Sequence, residues 1–440
     1  MGRFIKLIGS LLLTALLLGG CAMVTVEEMY TPPKRSSAYQ DLQLAIDGAM
    51  AGMEYAAPLA GENRQTVQAA DLDGDGIDEY LLFARDTSEN PMKILIFSRD
   101  SDGCRLTDTI ESRGAAFDLV EYVDLDGQGG VELVVGRQVS DLILRSMSVY
   151  SFPEGKAQQM MSVNYSRIVP ADLDGNGISE LMVITRGESD EDHAVATLYR
   201  YDNGSMARSR EVSLSGGSDH IKRIMVSKLH NGTNAVYVAS SVADSAIITD
   251  VFALKGGQFT NVSFSNESGT SVQTLRNYYV YADDIDNDGV LELPDLIDMK
   301  SVENTWMASN QKLIRWYAMD LSGREVDKMF TFHNFDGGWY LQMDKFLIPR
   351  ISVIQKDISY VFYLWDETFQ TNEVLMTIHT LNGPDREMVV NGEGYYELYQ
   401  AEGIIYAVKP EKVAMELGLI PELLAESFHP IQRDWKNGET

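Results

Sequence analysis

The chain has 440 residues, 45% of them hydrophobic, and carries a formal net charge of −29 with an isoelectric point near 4.5. That much apolar material excludes wholesale disorder, and the length allows two or three domains. A chain this acidic repels phosphate backbones and anionic headgroups, which counts against nucleic acid as a partner.

In chain order the first element is "MGRFIKLIGSLLLTALLLGGCAM". Arg3 and Lys6 precede an apolar stretch over residues 7–18, too short to span a bilayer comfortably, and small residues and Cys21 follow. This is the layout of a secretory signal. The tetrapeptide "LGGC" resembles the bacterial lipobox. That resemblance implies removal of residues 1–20, a lipid on Cys21 and an extracytoplasmic protein anchored to a bacterial cell membrane. The plainer alternative is an ordinary signal peptide with Cys21 as core material. Cleavage takes away two of the 36 basic residues and none of the 65 acidic ones, moving the balance from −29 to −31. Cys104 is the second of two cysteines, so a lipidated Cys21 leaves no internal disulfide. Residues 21–38, with two prolines and two serines, read as a tether. Residues 39–65 read as a short helix and a lead-in.

Self-comparison then exposes a repeat. The segments "ADLDGDGIDEYLLF" (70–83), "VDLDGQGGVELVVG" (123–136), "ADLDGNGISELMVI" (171–184) and "DDIDNDGVLELPDL" (283–296) share Asp-x-Asp-x-(Asp/Asn/Gln)-Gly-x-x-Glu followed by an apolar run. A fifth, "SKLHNGTNAVYVAS" (227–240), keeps Asn-Gly and the strand but no acid, with Lys228 and His230 in place of the first two aspartates. The loops start at 71, 124, 172, 228 and 284, spacings of 53, 48, 56 and 56 residues. That period suits about four short strands per unit, the size of a propeller blade. The second repeat offers "FDLVEYVDLD", "VELVVG", "RSMSVYSF" and "AQQMMSVNY" as successive strands. The expected fold is mainly β: over residues 66–331, a β-propeller of five to seven four-stranded blades.

A hard cation takes six to eight oxygen ligands, and alternate positions of a tight loop point inward together. Asp71, Asp73 and Asp75 occupy those positions, Gly76 permits the turn, and Glu79 closes the shell. Without an ion the carboxylates repel one another. An EF-hand places its closing acid at loop position 12, which here is Leu82, Val135, Val183 and Asp295. The pattern instead resembles the calcium loops of FG-GAP/VCBS repeats, which are similar to the propeller blades of integrin α-subunits. The resemblance implies structural Ca²⁺ held by Asp71, Asp73, Asp75 and Glu79, with the carbonyl of Ile77. In the second loop it implies Asp124, Asp126, Gln128 and Glu132. The third loop offers Asp172, Asp174, Asn176, Ile178 and Glu180, and the last offers Asp284, Asp286, Asp288, Val290 and Glu292. Lys228 predicts no ion in the acid-free repeat.

From about residue 332 the repeat fades. "DGGWYLQM", "RISVI", "YVFYLWD" and "EVLMTIHTL" read as strands, and "PEKVAMEL" and "PELLAESF" as short helices with Pro410 and Pro421 at their starts. A small α+β domain over 332–440 is expected. Trp339, Tyr340, Trp365, Tyr395, Tyr396 and Trp435 fit a sheet core better than a ligand cleft. The six histidines are scattered, and no zinc-peptidase pair, Gly-x-Ser-x-Gly elbow or P-loop is present. The expected role is a non-catalytic binding scaffold for a protein or glycan at the cell envelope. Its rivals are a propeller-based polysaccharide lyase or glycoside hydrolase, and an envelope assembly or sensory lipoprotein.

Overall fold

The computed structural model describes residues 37–431 apart from 102, 140–144, 188–192, 243–245, 277–279, 281, 300–310, 367–370, 393 and 402. The signal segment 1–20, Cys21, most of the tether and Trp435 lie outside the described residues. No described helix is long and apolar enough to cross a membrane.

The chain is mainly β. Its 27 described strands form six antiparallel sheets of four or five strands. The first four sheets are built from strands consecutive in the chain, each paired antiparallel with the next except that Glu54–Tyr55 skips to Glu79–Arg85. In the first sheet, Glu54–Tyr55 and Val67–Ala70 both pair with Glu79–Arg85, followed by Met92–Asp100 and Gly103–Ser112. The second runs Ala116–Val123, Glu132–Gln138, Arg145–Ser151, Gln158–Tyr165. The third runs Arg167–Ala171, Glu180–Thr185, Val195–Asp202, Ser205–Ser213, and the fourth Ile221–Lys228, Asn234–Ser241, Ile247–Lys255, Gln258–Asn261.

Apolar residues on both faces of these strands pack each sheet against the next. Leu81, Phe83 and Ile94 meet Phe117, Val120 and Leu133 between the first and second sheets. Val134 and Val149 meet Leu181 and Val183, and Met182 and Ile184 meet Val236 and Phe252. Tyr237 and Val251 then meet Leu293 and Tyr317 of the fifth sheet. The far face of the first sheet is covered by helix α1 (Ser37–Ala49), whose Leu42 and Ile46 pack on Leu82, Leu95 and Phe97.

The fifth sheet comprises Leu293–Ile297, Gln311–Met319, Glu325–Asn334 and Trp339–Gln342, and takes Phe428–Pro430 near the C-terminus as an additional strand. The boundary drawn between residues 331 and 332 therefore falls inside one strand. Phe332, Trp339 and Phe428 share a cluster with Ile351, Phe362 and Leu364 of the sixth sheet, so packing is continuous across that point. The repeat fades there because the sixth sheet has no acid loop, while the sheet-on-sheet packing goes on. In the sixth sheet Ile404–Pro410 lies between Thr371–Leu381 and Tyr396–Ala401. Helices α2 (Arg386–Val390), α3 (Lys412–Glu416) and α4 (Pro421–Glu426) fall between these last strands and the end, with Pro421 at the first turn of α4. Trp339 is fully buried, ringed by Phe332, Tyr360 and Phe428, while Tyr396 is exposed.

Candidate metal centres

The four acid-rich segments are the turns that lead into the strands Glu79–Arg85, Glu132–Gln138, Glu180–Thr185 and Leu293–Ile297, and they share one geometry. The residue before the first aspartate pairs with the glutamate: Ala70 with Glu79, Val123 with Glu132, Ala171 with Glu180 and Asp283 with Glu292. The second loop residue is buried as an apolar peg: Leu72, Leu125, Leu173 and Ile285. Its backbone N–H donates to Oε2 of the loop's glutamate, at 3.2, 2.7, 2.7 and 3.1 Å respectively. Burial of the peg thus drags the glutamate inward, and all four glutamates are at most 6% exposed.

The first aspartate folds the turn. Asp71 accepts from the N–H groups of Gly74 and Gly76 at 2.8 and 2.9 Å, and Asp172 likewise from Gly175 and Gly177 at 2.7 and 2.9 Å. These bonds demand left-handed backbone at loop positions four and six: φ is 77° and 86° at Gly74 and Gly76, and Asn287 takes 58° at position four of the last loop. The position-four requirement is written in the sequence as Asp-x-Asp-(Gly/Asn), beside the glycine at position six.

In each loop three carboxylates converge: Asp71, Asp73, Glu79; Asp124, Asp126, Glu132; Asp172, Asp174, Glu180; Asp284, Asp286, Glu292. Within each group one oxygen per residue lies within 4.8 Å of the others. Two unit charges about 4 Å apart repel by roughly 4 kcal/mol at an effective dielectric near 20. The fifth-position side chains are not among the three converging groups and are turned to the backbone of their own loops. Asp75, Asn176 and Asp288 each accept the N–H two residues on, from Ile77, Ile178 and Val290, at 2.8, 2.7 and 2.8 Å. Gln128 instead reaches back to the Asp126 carbonyl at 3.4 Å.

Burial sets the charge state of the glutamates. It pushes the Glu132 carboxyl up to about 7, with Asp126 and Asp124 adding to the rise, and the Glu292 carboxyl up to about 8, with Asp286 adding. Glu79 and Glu180 are raised for the same reason. Glu292 is fully buried, and its Oε1 accepts no hydrogen bond. Such an orphaned oxygen calls for a positive charge beside it, and the all-oxygen donor sets of these loops are of the kind that suits a hard cation. These groups can hold a metal ion.

The loops also touch one another. Val131 N–H donates to the Asp71 carbonyl at 3.2 Å, Ser179 N–H to Asp124 at 3.0 Å, Asn234 Nδ2 to Asp172 at 2.6 Å and Leu291 N–H to Lys228 at 3.2 Å. A Cβ on Gly130 would meet the Leu72 carbonyl at 2.5 Å, so the first two loops are in direct contact there. The acid-free turn belongs to this series but is one residue shorter. Ser227 pairs with Ala235, which stands in the glutamate's place, and Leu229 is the buried peg.

A cleft of about 710 Å³ opens between the second and third sheets, lined by Arg145, Tyr165, Arg186, Tyr199, Arg208 and Glu211 among others. Arg145 lies 3.4 Å from Asp118, Arg186 lies 3.8 Å from Asp219, and Arg208 is paired with Glu211. The Tyr165 hydroxyl donates to Asp118, and burial raises its pKa further.

No family model and no curated protein matches the chain. Among solved structures, the exotype rhamnogalacturonan lyase YesX overlaps 82% of this chain and 76% of its own at 12% identity and a TM-score of 0.28. The Bacillus licheniformis rhamnogalacturonan lyase PL11 overlaps 73% and 72% at 13% identity and the same score of 0.28. Overlap this loose bears on neither fold nor chemistry.

Proposed function

We propose that this chain is a lipid-anchored extracytoplasmic protein whose successive sheets are blades of a β-propeller stapled by Ca²⁺, and that it serves as a non-catalytic scaffold for a protein or glycan partner at the cell envelope. The observation that carries the reading is the fourfold recurrence of three convergent carboxylates around a buried glutamate, joined loop to loop. Five antiparallel sheets packed in chain order before residue 343 support the blades of this reading, and the sixth sheet, in the region expected to be a separate domain, continues the packing. Hard oxygen ligands and a sharp turn at position six suit calcium, at the weak affinities of about 10⁻⁴–10⁻³ M typical of extracellular modules. The ions have a structural role: each neutralises acids that otherwise repel and fixes a turn between neighbouring sheets.

Two measurements test this together. Equilibrium dialysis of the full chain against radiocalcium detects ions lost on Asp73→Ala with Glu79→Ala; a chain that binds none in millimolar calcium removes the metal reading. Fractionation of cells expressing Cys21→Ser finds the protein released or its precursor uncleaved; a normally processed, membrane-bound variant removes the anchor. Screening the purified protein against envelope and plant glycans for new reducing or unsaturated ends separates the scaffold from a lyase or hydrolase.

A further inference from the structure

In every acid-loop sheet the second and third strands after the acid turn slip register at the same place. In the first sheet Phe97 faces Leu106 and Ile96 faces Asp108, leaving Thr107 over. In the second Tyr150 faces Gln159 and Val149 faces Met161, leaving Met160. The third slips between Tyr199, facing Arg208, and Thr197, facing Glu211. In the fifth Tyr317 faces Asp327 and Trp316 faces Met329, leaving Lys328. The fourth sheet, whose turn has no acids, keeps continuous register from Phe252–Asn261 to Lys255–Gln258, whereas the sixth sheet, also without an acid loop, slips between Phe362 and Tyr363, so the bulge is not confined to acid-loop sheets. A bulge re-aims the side chain of its extra residue.

In the first sheet the re-aimed group is a hydroxyl. Thr107 and Ser98 share a hydrogen bond of 3.1 Å, and Ser98 in turn bonds Glu79. In the fifth sheet it is an ammonium. Lys328 Nζ lies 3.8 Å from Asp286 and 3.9 Å from Glu292 Oε1, and is hydrogen-bonded to Asp288. Its side chain is only 16% exposed. The neighbouring acids Glu325 and Asp327 bind Arg315 instead, at 2.6 Å each. Lys328 therefore faces loop positions three, five and nine, two of which belong to the convergent carboxylate group. The buried, hydrogen-bond-free Oε1 of Glu292 has this ammonium as its facing charge.

We propose that Lys328 is the resident counter-ion of the last acid loop, so that this loop folds without a divalent ion and excludes one, while the first two loops depend on an ion from solution. The inference rests on the metal reading above and sets which of the four loops obeys it. Among the described residues no ion pair reaches Glu79 or Glu132, and in the third loop Arg200 Nε lies 3.2 Å from Glu180 alone. Two cations cannot share one carboxylate cluster a few ångströms wide without strong mutual repulsion, so the tethered ammonium must be displaced before a metal enters. Tethering favours the lysine, because its effective concentration is set by the fold and not by the medium.

The test counts calcium ions per full-length chain by equilibrium dialysis against radiocalcium, with folding in calcium verified by circular dichroism. Lys328→Gln is expected to bind one ion more than the wild type, and adding Asp286→Asn to it removes the gained ion. Asp286→Asn in the wild-type background is expected to leave the count unchanged. Equal counts for wild type and Lys328→Gln, or an ion lost on Asp286→Asn alone, overturn the lysine's role while leaving the metal reading standing. A wild type that binds no calcium at all overturns the metal reading and this inference with it.

Discussion

The second and fourth sheets open with the same kind of connection and solve it differently. Residues 124–131 carry two aspartates and lead to buried Glu132, whereas residues 228–234 carry no acid and lead to Ala235. Both keep the peg, Leu125 and Leu229, and both bond to a neighbouring loop. The shorter turn closes on itself, with Leu229 N–H donating to the Thr233 carbonyl and Gly232 N–H to Leu229, each at 2.8 Å. The packing of successive sheets therefore does not require acids at this turn. Where acids are present, a buried carboxylate near two others is a cost that an ordinary hairpin avoids, and a cation is what offsets it. The difference separates two links in the chain of causes: the peg is common to both turns and serves the packing, while the carboxylates belong to the proposed dependence on ions.

Removing the ions should produce the largest contrast. An ion present at a hundredfold over its Kd adds about 2.7 kcal/mol, so two or more sites lower the Tm on chelation by on the order of 10 °C. Calorimetry in chelator and in calcium raised to about 10–100 mM, a hundredfold over the proposed Kd, measures this; coincident curves would reduce the loops to acidic turns. The pegs should respond alike in both sheets. Leu125→Ala and Leu229→Ala each remove a buried side chain and cost about 2–5 kcal/mol. Urea titration should find similar losses, with or without calcium. If only Leu125→Ala were sensitive to the metal, the peg and the ion site would not be separable.

Sequence showed the acids because their chemistry is explicit: carboxylates at alternate positions, a glycine, then a strand. The strands of the second sheet were legible as short apolar runs divided by turn residues, and the repeat period carried the reading to its neighbours. The remainder depends on contacts distant along the chain. Lys328 reaches the last loop through a bulge two strands away, and a bulge leaves no mark in a single sequence. The register of the fourth turn was masked because Asn231-Gly232 persists while one residue is missing. The strand Phe428–Pro430 has three residues and joins the fifth sheet from the far end of the chain, so local pattern placed it in a separate domain. Left-handed position four was visible as Gly74, Gly127, Gly175 and Asn287, but its meaning lies in the aspartate–amide bonds that require it.

Glu132→Gln sharpens the comparison further, because its sign should depend on the metal. The amide keeps the shape and the acceptor for Leu125 N–H but removes the buried charge. In chelator the variant should melt a few degrees higher than the wild type, and in calcium a few degrees lower. The same sign in both conditions would mean that the glutamate is neutral in the wild-type protein whether or not an ion is bound.

The smallest effect is the dependence on pH, and it follows from the same buried glutamates. Unperturbed, Glu132 and Glu292 would titrate at 4.5; in the folded, ion-free chain burial lifts them to about 7 and about 8. Between those limits the folded state binds more protons than the unfolded one, so stability falls as pH rises. The contribution is fully present below about pH 4.5 and is lost through pH 7 to 8. Carboxylates with lowered values act in the opposite sense at more acid pH: Asp320, held at about 2 by its hydrogen bond from Ser322, contributes stability that is lost only below the usual aspartate range. Calcium reverses the trend for Glu132 in the upper window, since it binds the ionised carboxylate and its affinity weakens as the carboxyl takes up a proton, whereas the Glu292 loop, which Lys328 occupies, keeps its slope in both conditions. Melting temperatures in chelator and in calcium should therefore converge towards pH 5 and separate towards pH 8. An ion-free chain whose Tm is flat across that range would show that the glutamates are not buried as acids, and the contrast between Glu132 and Ala235 would then have no electrostatic content.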